Sequence, residues 1–249
     1  MSKVDLKKAP FRKDGRVIVS YPKSGRTWVR FALTECGIDA DFTHAGASTN
    51  RREIGLAFRG VAPQLKGIPL VFLHRNPIDT AVSMFHQVTR RDLRKGSGRY
   101  YRMFLPLLLK GALPPSDIDS FVLHPTHGIE KICAYNRAWL DYLAKRDDCL
   151  VLTYEEMRAH PNEGFQALLD FFGETGATGR QLAEAATFEK MKAAEKNDAS
   201  GILSRTNRSD PQSAKVRKGK VGGYVDELRP ETVAECRRIA AGYGFGESP

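Results

Sequence analysis

Apolar residues along the chain gather in three short runs. Residues 16–20 (RVIVS), entered from Asp14-Gly15, residues 69–73 (PLVFL) and residues 149–153 (CLVLT) are apolar almost throughout and rich in branched side chains. Runs this short predict strands buried on both faces. Between them the spacing turns helical. A turn at residues 21–25 leads into a predicted helix over 27–36. Ile78, Ala81, Val82, Phe85 and Val88 form a second stripe, and that segment opens with Asn76 at the cap, Pro77 at the first helical position and Asp79 in the first turn. Residues 126–145 predict a long helix with Ile129, Ile132, Cys133, Trp139, Leu140 and Leu143 inward. Helices are also predicted over 162–172 and 179–191. A last one opens at Arg229-Pro230-Glu231 and fades into glycine at Gly242. Buried strands alternating with helices predict an α/β fold. Residues 1–249 form one domain in this reading, with a central parallel sheet flanked by helices and ligands beyond the carboxyl ends of the strands. Two stretches lack periodicity. Residues 90–116 mix glycine, proline, bases and aromatics and predict a mobile segment or short helices. Residues 197–223 are polar and basic.

Composition narrows the classes. The 249-residue chain is 41% hydrophobic, enough for a sizeable core, and carries a formal charge of +10. That excess favours anionic partners: nucleotide phosphates, nucleic acid or acidic lipid. The cysteines, Cys36, Cys133, Cys149 and Cys236, are far apart and form no CxxC pair. A disulfide scaffold or zinc site is not expected, and free thiols in a reducing compartment are. Residues 1–10 are lysine-rich without an apolar run, and the apolar stretch at 103–109 is broken by Pro106. Neither a signal peptide nor a membrane span is expected, and a cytoplasmic protein is.

The turn after the first strand reads Tyr21-Pro22-Lys23-Ser24-Gly25-Arg26-Thr27-Trp28. A strand running into a glycine-containing loop and a helix makes an anion site, because free backbone N–H groups and the positive end of the helix dipole face the ligand. Ser24 and Thr27 add hydroxyls; Lys23 and Arg26 add charge. The loop differs from the ATP-binding GxxxxGK[ST] pattern, since its lysine precedes the glycine. The second strand ends in Leu73-His74-Arg75, where a metal-dependent loop would want an acid. Arginine there neutralises an anion directly, and no metal is expected.

The loop resembles the YPKSGTTW donor loop of the sulfotransferases that use 3'-phosphoadenosine 5'-phosphosulfate (PAPS), with Arg26 in place of a threonine. Two further stretches carry the resemblance. Residues 74–86 (HRNPIDTAVSMFH) are similar to RNPxDxxVSxxxH, and residues 217–224 (RKGKVGGY) are similar to RKGxxGxW, with Tyr224 in place of tryptophan. The resemblance implies a P-loop-like fold related to nucleotide kinases. It implies that Lys23 meets the bridging oxygen of PAPS, that Ser24, Gly25, Arg26, Thr27 and Trp28 hold the 5' side, and that Trp28 stacks near the adenine. Arg75, Ser83, Arg217 and Lys218, with the backbone of Gly219, would take the 3'-phosphate. Weaker matches place Tyr154 near the adenine and give Thr187, Phe188 and Met191 an adenine contact. The product nucleotide would be adenosine 3',5'-bisphosphate (PAP), residues 197–223 would close over the donor, and residues 90–116 would lie on the acceptor side.

A base must take the acceptor's proton. His44, in the pair Thr43-His44, fits the interval where the family keeps its catalytic histidine. Glu53 sits nearer the usual distance from Arg75, and relatives that act on polysaccharides use a glutamate. The base stays open between the two, with His44 preferred. His74 and His86 are taken as structural. Two other functions compete: a Mg-dependent nucleotide or small-molecule kinase of related fold, and a basic nucleic-acid-binding module. The first lacks an acid for the metal. The second predicts a continuous basic stripe, whereas many bases here fall in three separate segments. The expected partners are therefore a small-molecule, glycolipid or carbohydrate acceptor and no nucleic acid, in a monomer or homodimer.

Overall fold

The computed structural model describes residues 14–44, 65–92, 114–197, 202–203, 214–216 and 219–246. Four parallel strands form the sheet: β1 (Val17–Val19), β2 (Asp41–Thr43), β3 (Leu70–His74) and β4 (Cys149–Thr153), in the order β2-β1-β3-β4. The two central strands are the two most apolar, as burial on both faces requires. Side chains alternate across them. Val17, Val19, Leu70 and Phe72 point into one core, and Ile18, Val71 and Leu73 into the other. The edge strands are less buried; Val151 on β4 is 39% exposed.

Helices cover both faces. The first core is closed by α2 (Pro77–His86), α3 (Ile118–Val122), α4 (Ile129–Leu143) and α9 (Pro230–Gly242). The second is closed by α1 (Arg26–Glu35), α5 (Tyr154–Ala159), α6 (Pro161–Phe172), α7 (Gly179–Ala185) and α8 (Phe188–Asn197). The α2 stripe is buried throughout, and the Asn76 side chain accepts from the Ile78 and Asp79 N–H groups at 2.9 and 3.2 Å. Those bonds satisfy two of the donors that a helix start leaves open.

Two elements add to those predicted and one expectation changes. The residues just before His44 form a strand, β2, that joins the sheet at its edge. Residues 154–159 form a helix capped by Thr153, whose side chain accepts from the Glu156 N–H at 3.1 Å. The predicted helix over 179–191 is two helices. Thr187 starts the second by accepting from the Lys190 N–H at 3.3 Å, and the interruption leaves the Ala186 carbonyl to accept from Trp28 Nε1 at 2.9 Å. A hydroxyl that can cap a new helix competes with continuing the old one.

The chain leaves β1 toward β2 on one side and places β3 on the other. The strand order therefore reverses beside β1, where open α/β sheets hold their ligands. The loop after β1 and Arg75 after β3 both lie at that point.

Candidate functional site

The loop between β1 and α1 is tightly shaped. Lys23 has φ of 74°, a left-handed conformation that costs a non-glycine residue energy and marks a backbone held in place by its surroundings. Gly25, at φ 93°, caps α1. A Cβ there would stand 2.4 Å from Tyr154 Cδ2, so only glycine lets the loop lie under the tyrosine ring. Ser24 is fully buried, yet its Oγ meets no partner, and neither do Ser20 Oγ and Arg75 Nε. An unmet buried polar atom costs about 1–3 kcal/mol. Clustered at the loop after β1, these atoms suit a ligand rich in oxygen acceptors.

Arg75 leaves β3 directly beside this loop. Its Nη1 donates to the Lys23 carbonyl at 3.5 Å and its Nη2 to the Lys220 carbonyl at 3.3 Å. The guanidinium lies 4.6 Å above the Tyr154 ring and 3.4 Å from Asp79. The Asp79 carboxylate, 3% exposed, also accepts from the Gly222 and Tyr224 N–H groups. It thereby ties the start of α2 to the C-terminal anchor. Ser83, half-buried, lies one turn beyond Asp79 on the same helix.

Gly219 brings that anchor against the second group of helices. At φ 62°, its position for a Cβ is 3.2 Å from Phe188 and 4.0 Å from Arg158. Arg158 in turn covers Trp28 at 5.4 Å. Trp28 is enclosed edge-on by Tyr154 and Phe165 at 5.9 and 5.1 Å. Its indole therefore builds the wall beneath Tyr154. Thr187 is half-buried at the α8 cap next to Phe188. Lys23, Ser24, Gly25, Trp28, Arg75, Tyr154, Phe188 and Gly219 thus belong to one contiguous region. Arg26 and Thr27 open α1 beside it. Arg217, Lys218 and Glu53 lie outside the described residues. Just before the first two, the buried Glu195 accepts from the Lys215 and Val216 N–H groups at 2.6 and 3.2 Å. That pins the root of the basic loop to α8.

His44 stands at the carboxyl end of β2, next to the loop. Its Nδ1 is 2.7 Å from the Ser20 carbonyl oxygen. A carbonyl only accepts, so Nδ1 carries the hydrogen and Nε2 keeps its lone pair. Burial, followed by the charge of Arg26 and more weakly Arg30, pushes the imidazole down to about 4, and the bond to Ser20 opposes this. The ring is neutral at pH 7 and can accept a proton at Nε2. His86 instead pairs with Glu227 at 2.6 Å, and His74 stacks on Phe72 at 5.7 Å.

Several contributors escape a reading of the sequence. Asp79 looks like an ordinary first-turn acid, although its i,i+4 spacing from Arg75 is a usable signal. Gln87, which accepts from Lys23 Nζ at 3.4 Å, begins a π-helical turn (Gln87–Asp92), and nothing in the local sequence announces it. Arg158 and Glu195 act only through tertiary contacts. Among the described residues no cluster of His, Cys, Asp or Glu could hold a metal ion, and no helix is long and apolar enough to cross a membrane.

Comparison with known proteins gives a consistent result. A family model described as a sulfotransferase domain matches residues 63–241, which include Arg75, Asp79, Tyr154 and the C-terminal anchor; the loop after β1 precedes the match. Cytosolic sulfotransferase 16 of Arabidopsis thaliana is 26% identical over 260 aligned residues, covering 88% of this chain and 72% of the relative. Cytosolic sulfotransferase 17 of the same plant is 29% identical over 68% of this chain and 47% of its own length. Among solved structures, a mouse sulfotransferase complexed with PAP superposes with a TM-score of 0.61 at 20% identity, covering 96% of this chain and 86% of that one. A retinol dehydratase in complex with androsterone and inactive cofactor PAP gives a TM-score of 0.58 at 18% identity, covering 96% and 83%.

Proposed function

The chain belongs to the sulfotransferase family, and within that family's PAPS-dependent chemistry we propose that Lys23, Arg75 and His44 bind the donor, neutralise its charge and activate the acceptor. The donor supplies an electrophilic sulfuryl group and a phosphate leaving group. The observation that carries this reading is the convergence on Arg75. Its guanidinium joins the Lys23 carbonyl of the first loop, the Lys220 carbonyl of the C-terminal anchor and the Tyr154 ring of the adenine side.

The division of labour follows the sheet. Lys23, at the end of β1, stabilises negative charge on the departing phosphate oxygen, where an ammonium gains strength as charge grows. Arg75 and Ser83, together with Arg217, Lys218 and the Gly219 backbone, hold the 3'-phosphate. Ser24 and Thr27 meet the 5' side with hydroxyl and backbone N–H groups. Tyr154, Thr187 and Phe188 line the adenine side, with Trp28 beneath Tyr154. His44 Nε2 takes the proton of the acceptor hydroxyl or amine while the new bond to sulfur forms and the bond between sulfur and the phosphate oxygen breaks. The acceptor in this reading is a small molecule, and no metal takes part.

Titration with PAP, AMP and ATP, each with and without Mg²⁺, tests the assignment. PAP is expected to bind without metal and AMP at least tenfold more weakly, since one lost charge-assisted contact to a phosphate costs about 1.5–3 kcal/mol. Equal affinity for PAP and AMP sinks the 3'-phosphate assignment. Tighter, Mg-dependent binding of ATP favours the kinase.

A further inference from the structure

Arg26 stands where the sulfotransferase donor loop has a threonine, and the fold decides which way its charge faces. Arg30, one turn further along α1, lies with its guanidinium 4.5 Å over the ring of Phe42 on β2. The helix α1 connects two neighbouring parallel strands, so it runs antiparallel to them. One turn back along α1, from Arg30 to Arg26, is about 6 Å toward the carboxyl ends of the strands. Two residues forward from Phe42, just past the end of β2, His44 lies about 6–7 Å further in the same direction. Arg26 is thereby set beside His44 as Arg30 is set on Phe42. The electrostatics agree, because Arg26 and Arg30 are the two charges that lower the His44 pKa. Trp28, two residues on from Arg26, faces the opposite way, into the contacts with Tyr154 and the Ala186 carbonyl.

The sheet order separates two sides of the site. Arg75 and Tyr154 follow β3 and β4, on one side of the loop, and Phe188 and Gly219 join them there through Arg158 and Trp28. His44 follows β2, on the other side. Arg30 faces β2, and the charge of Arg26, which acts on His44 and also on Tyr135, stands over the carboxyl ends of the strands between them. A cation in the first turn of a helix also works against the helix dipole, a cost that the threonine at this position in the family does not incur.

We infer that Arg26, backed by Arg30, forms a subsite for an anionic group of the acceptor, next to the hydroxyl that His44 activates. The acceptor class is then a small hydroxyl compound bearing a carboxylate, phosphate or sulfate. This rests on the sulfuryl-transfer reading above. A guanidinium matches such oxyanions with paired donors, and a neutral amide or ester gives it far less.

The test uses PAPS with matched phenols that differ only in charge: 3-hydroxybenzoate against 3-hydroxybenzamide, and 4-hydroxyphenylacetate against its amide. Wild-type enzyme is expected to favour the carboxylate of a pair by about tenfold or more in kcat/KM. Arg26→Thr is expected to collapse that ratio toward one while the Kd for PAP moves by less than the ratio does. A wild type without preference for the anionic member, including one that fails to turn it over, overturns the subsite. So does an Arg26→Thr variant that keeps the ratio and loses PAP affinity instead, since Arg26 would then serve the donor. The Arg26→Thr protein's melting temperature, with and without PAP, checks that it is folded. Loss of PAP binding by the wild type would instead strike the sulfotransferase reading itself, so the two failures are distinguishable.

Discussion

The carboxylate of Asp79 accepts the Gly222 N–H at 2.8 Å, across 143 residues of chain, while its same oxygen lies 3.4 Å from the Arg75 guanidinium. A buried acid at the start of α2 therefore does two things at once. It aims Arg75 at the loop, and it holds the C-terminal anchor against that arginine.

Removing Asp79 should cost both stability and donor binding. Breaking one side of a buried, hydrogen-bonded ion pair typically costs about 3–5 kcal/mol. Asp79→Ala is expected to lower the unfolding free energy, measured by urea titration, by about 3 kcal/mol, near the bottom of that range, because Arg75 keeps its other contacts. PAP affinity should fall with it. Asp79→Ala with unchanged PAP affinity would mean that the two anchors are aligned without the carboxylate.

Lys23 should act on turnover more than on binding. Its ammonium is proposed to meet charge that appears as the sulfur–oxygen bond breaks, and groups of that kind are worth about 10²–10³-fold in kcat. Lys23→Met is expected to lose that factor in steady-state turnover while PAP still binds in a calorimetric titration. Turnover near the wild-type rate would remove Lys23 from the chemistry.

His44→Ala should cut transfer by about 10²–10⁴-fold, the usual value of a positioned base. The pH profile carries a sharper mark. With its pKa lowered to about 4 by burial, Arg26 and Arg30, the free enzyme's kcat/KM should stay level from pH 8 to 6 and fall only near pH 4. Bound anions oppose those cations and favour the imidazolium, so the acid limb of kcat should lie at higher pH than that of kcat/KM. A limb near pH 6.5 in kcat/KM would contradict the buried, cation-flanked placement. If Glu53→Ala abolishes transfer and His44→Ala does not, the glutamate is the base.

Stability should fall in acid through histidines. Burial is the first cause that pushes His44, His74 and His127 down from 6.5 to about 4. In the unfolded chain they titrate near 6.5, at about the ordinary value. Between those pH values the unfolded chain binds protons that the folded one refuses. The stabilisation is therefore complete above about pH 6.5 and is lost as pH falls toward 4. The urea midpoint is expected to be lower at pH 5 than at pH 7.5, and His74→Gln should flatten that slope. A wild-type midpoint that does not change over this range would contradict it.

Local chemistry made much of this protein legible from its residues alone. Three of the four strands announce themselves as short branched apolar runs, and α2 is spelled out by Asn76, Pro77 and its apolar stripe. Those signals are local: a strand buried on both faces must be apolar throughout, and a helix start needs a cap. The glycine at position 25 also reads as a point of close approach. Sequence likewise supplied the three anchor segments and the family they resemble.

Tertiary structure alone decided the rest, because it depends on where distant segments meet. β2 is an edge strand of three half-buried residues, Asp41, Phe42 and Thr43, too short and too polar to show a period. Asp79 has the sequence of a surface acid and the burial of a core residue, a difference made by Gly222 and Tyr224 far along the chain. The tautomer of His44 follows from the Ser20 carbonyl, one residue past β1, that only sheet pairing brings within reach. The seat of Arg30 over Phe42 follows from the antiparallel run of α1 over β2. Spacing along a sequence sets which residues share a face of one element; packing sets what that face meets.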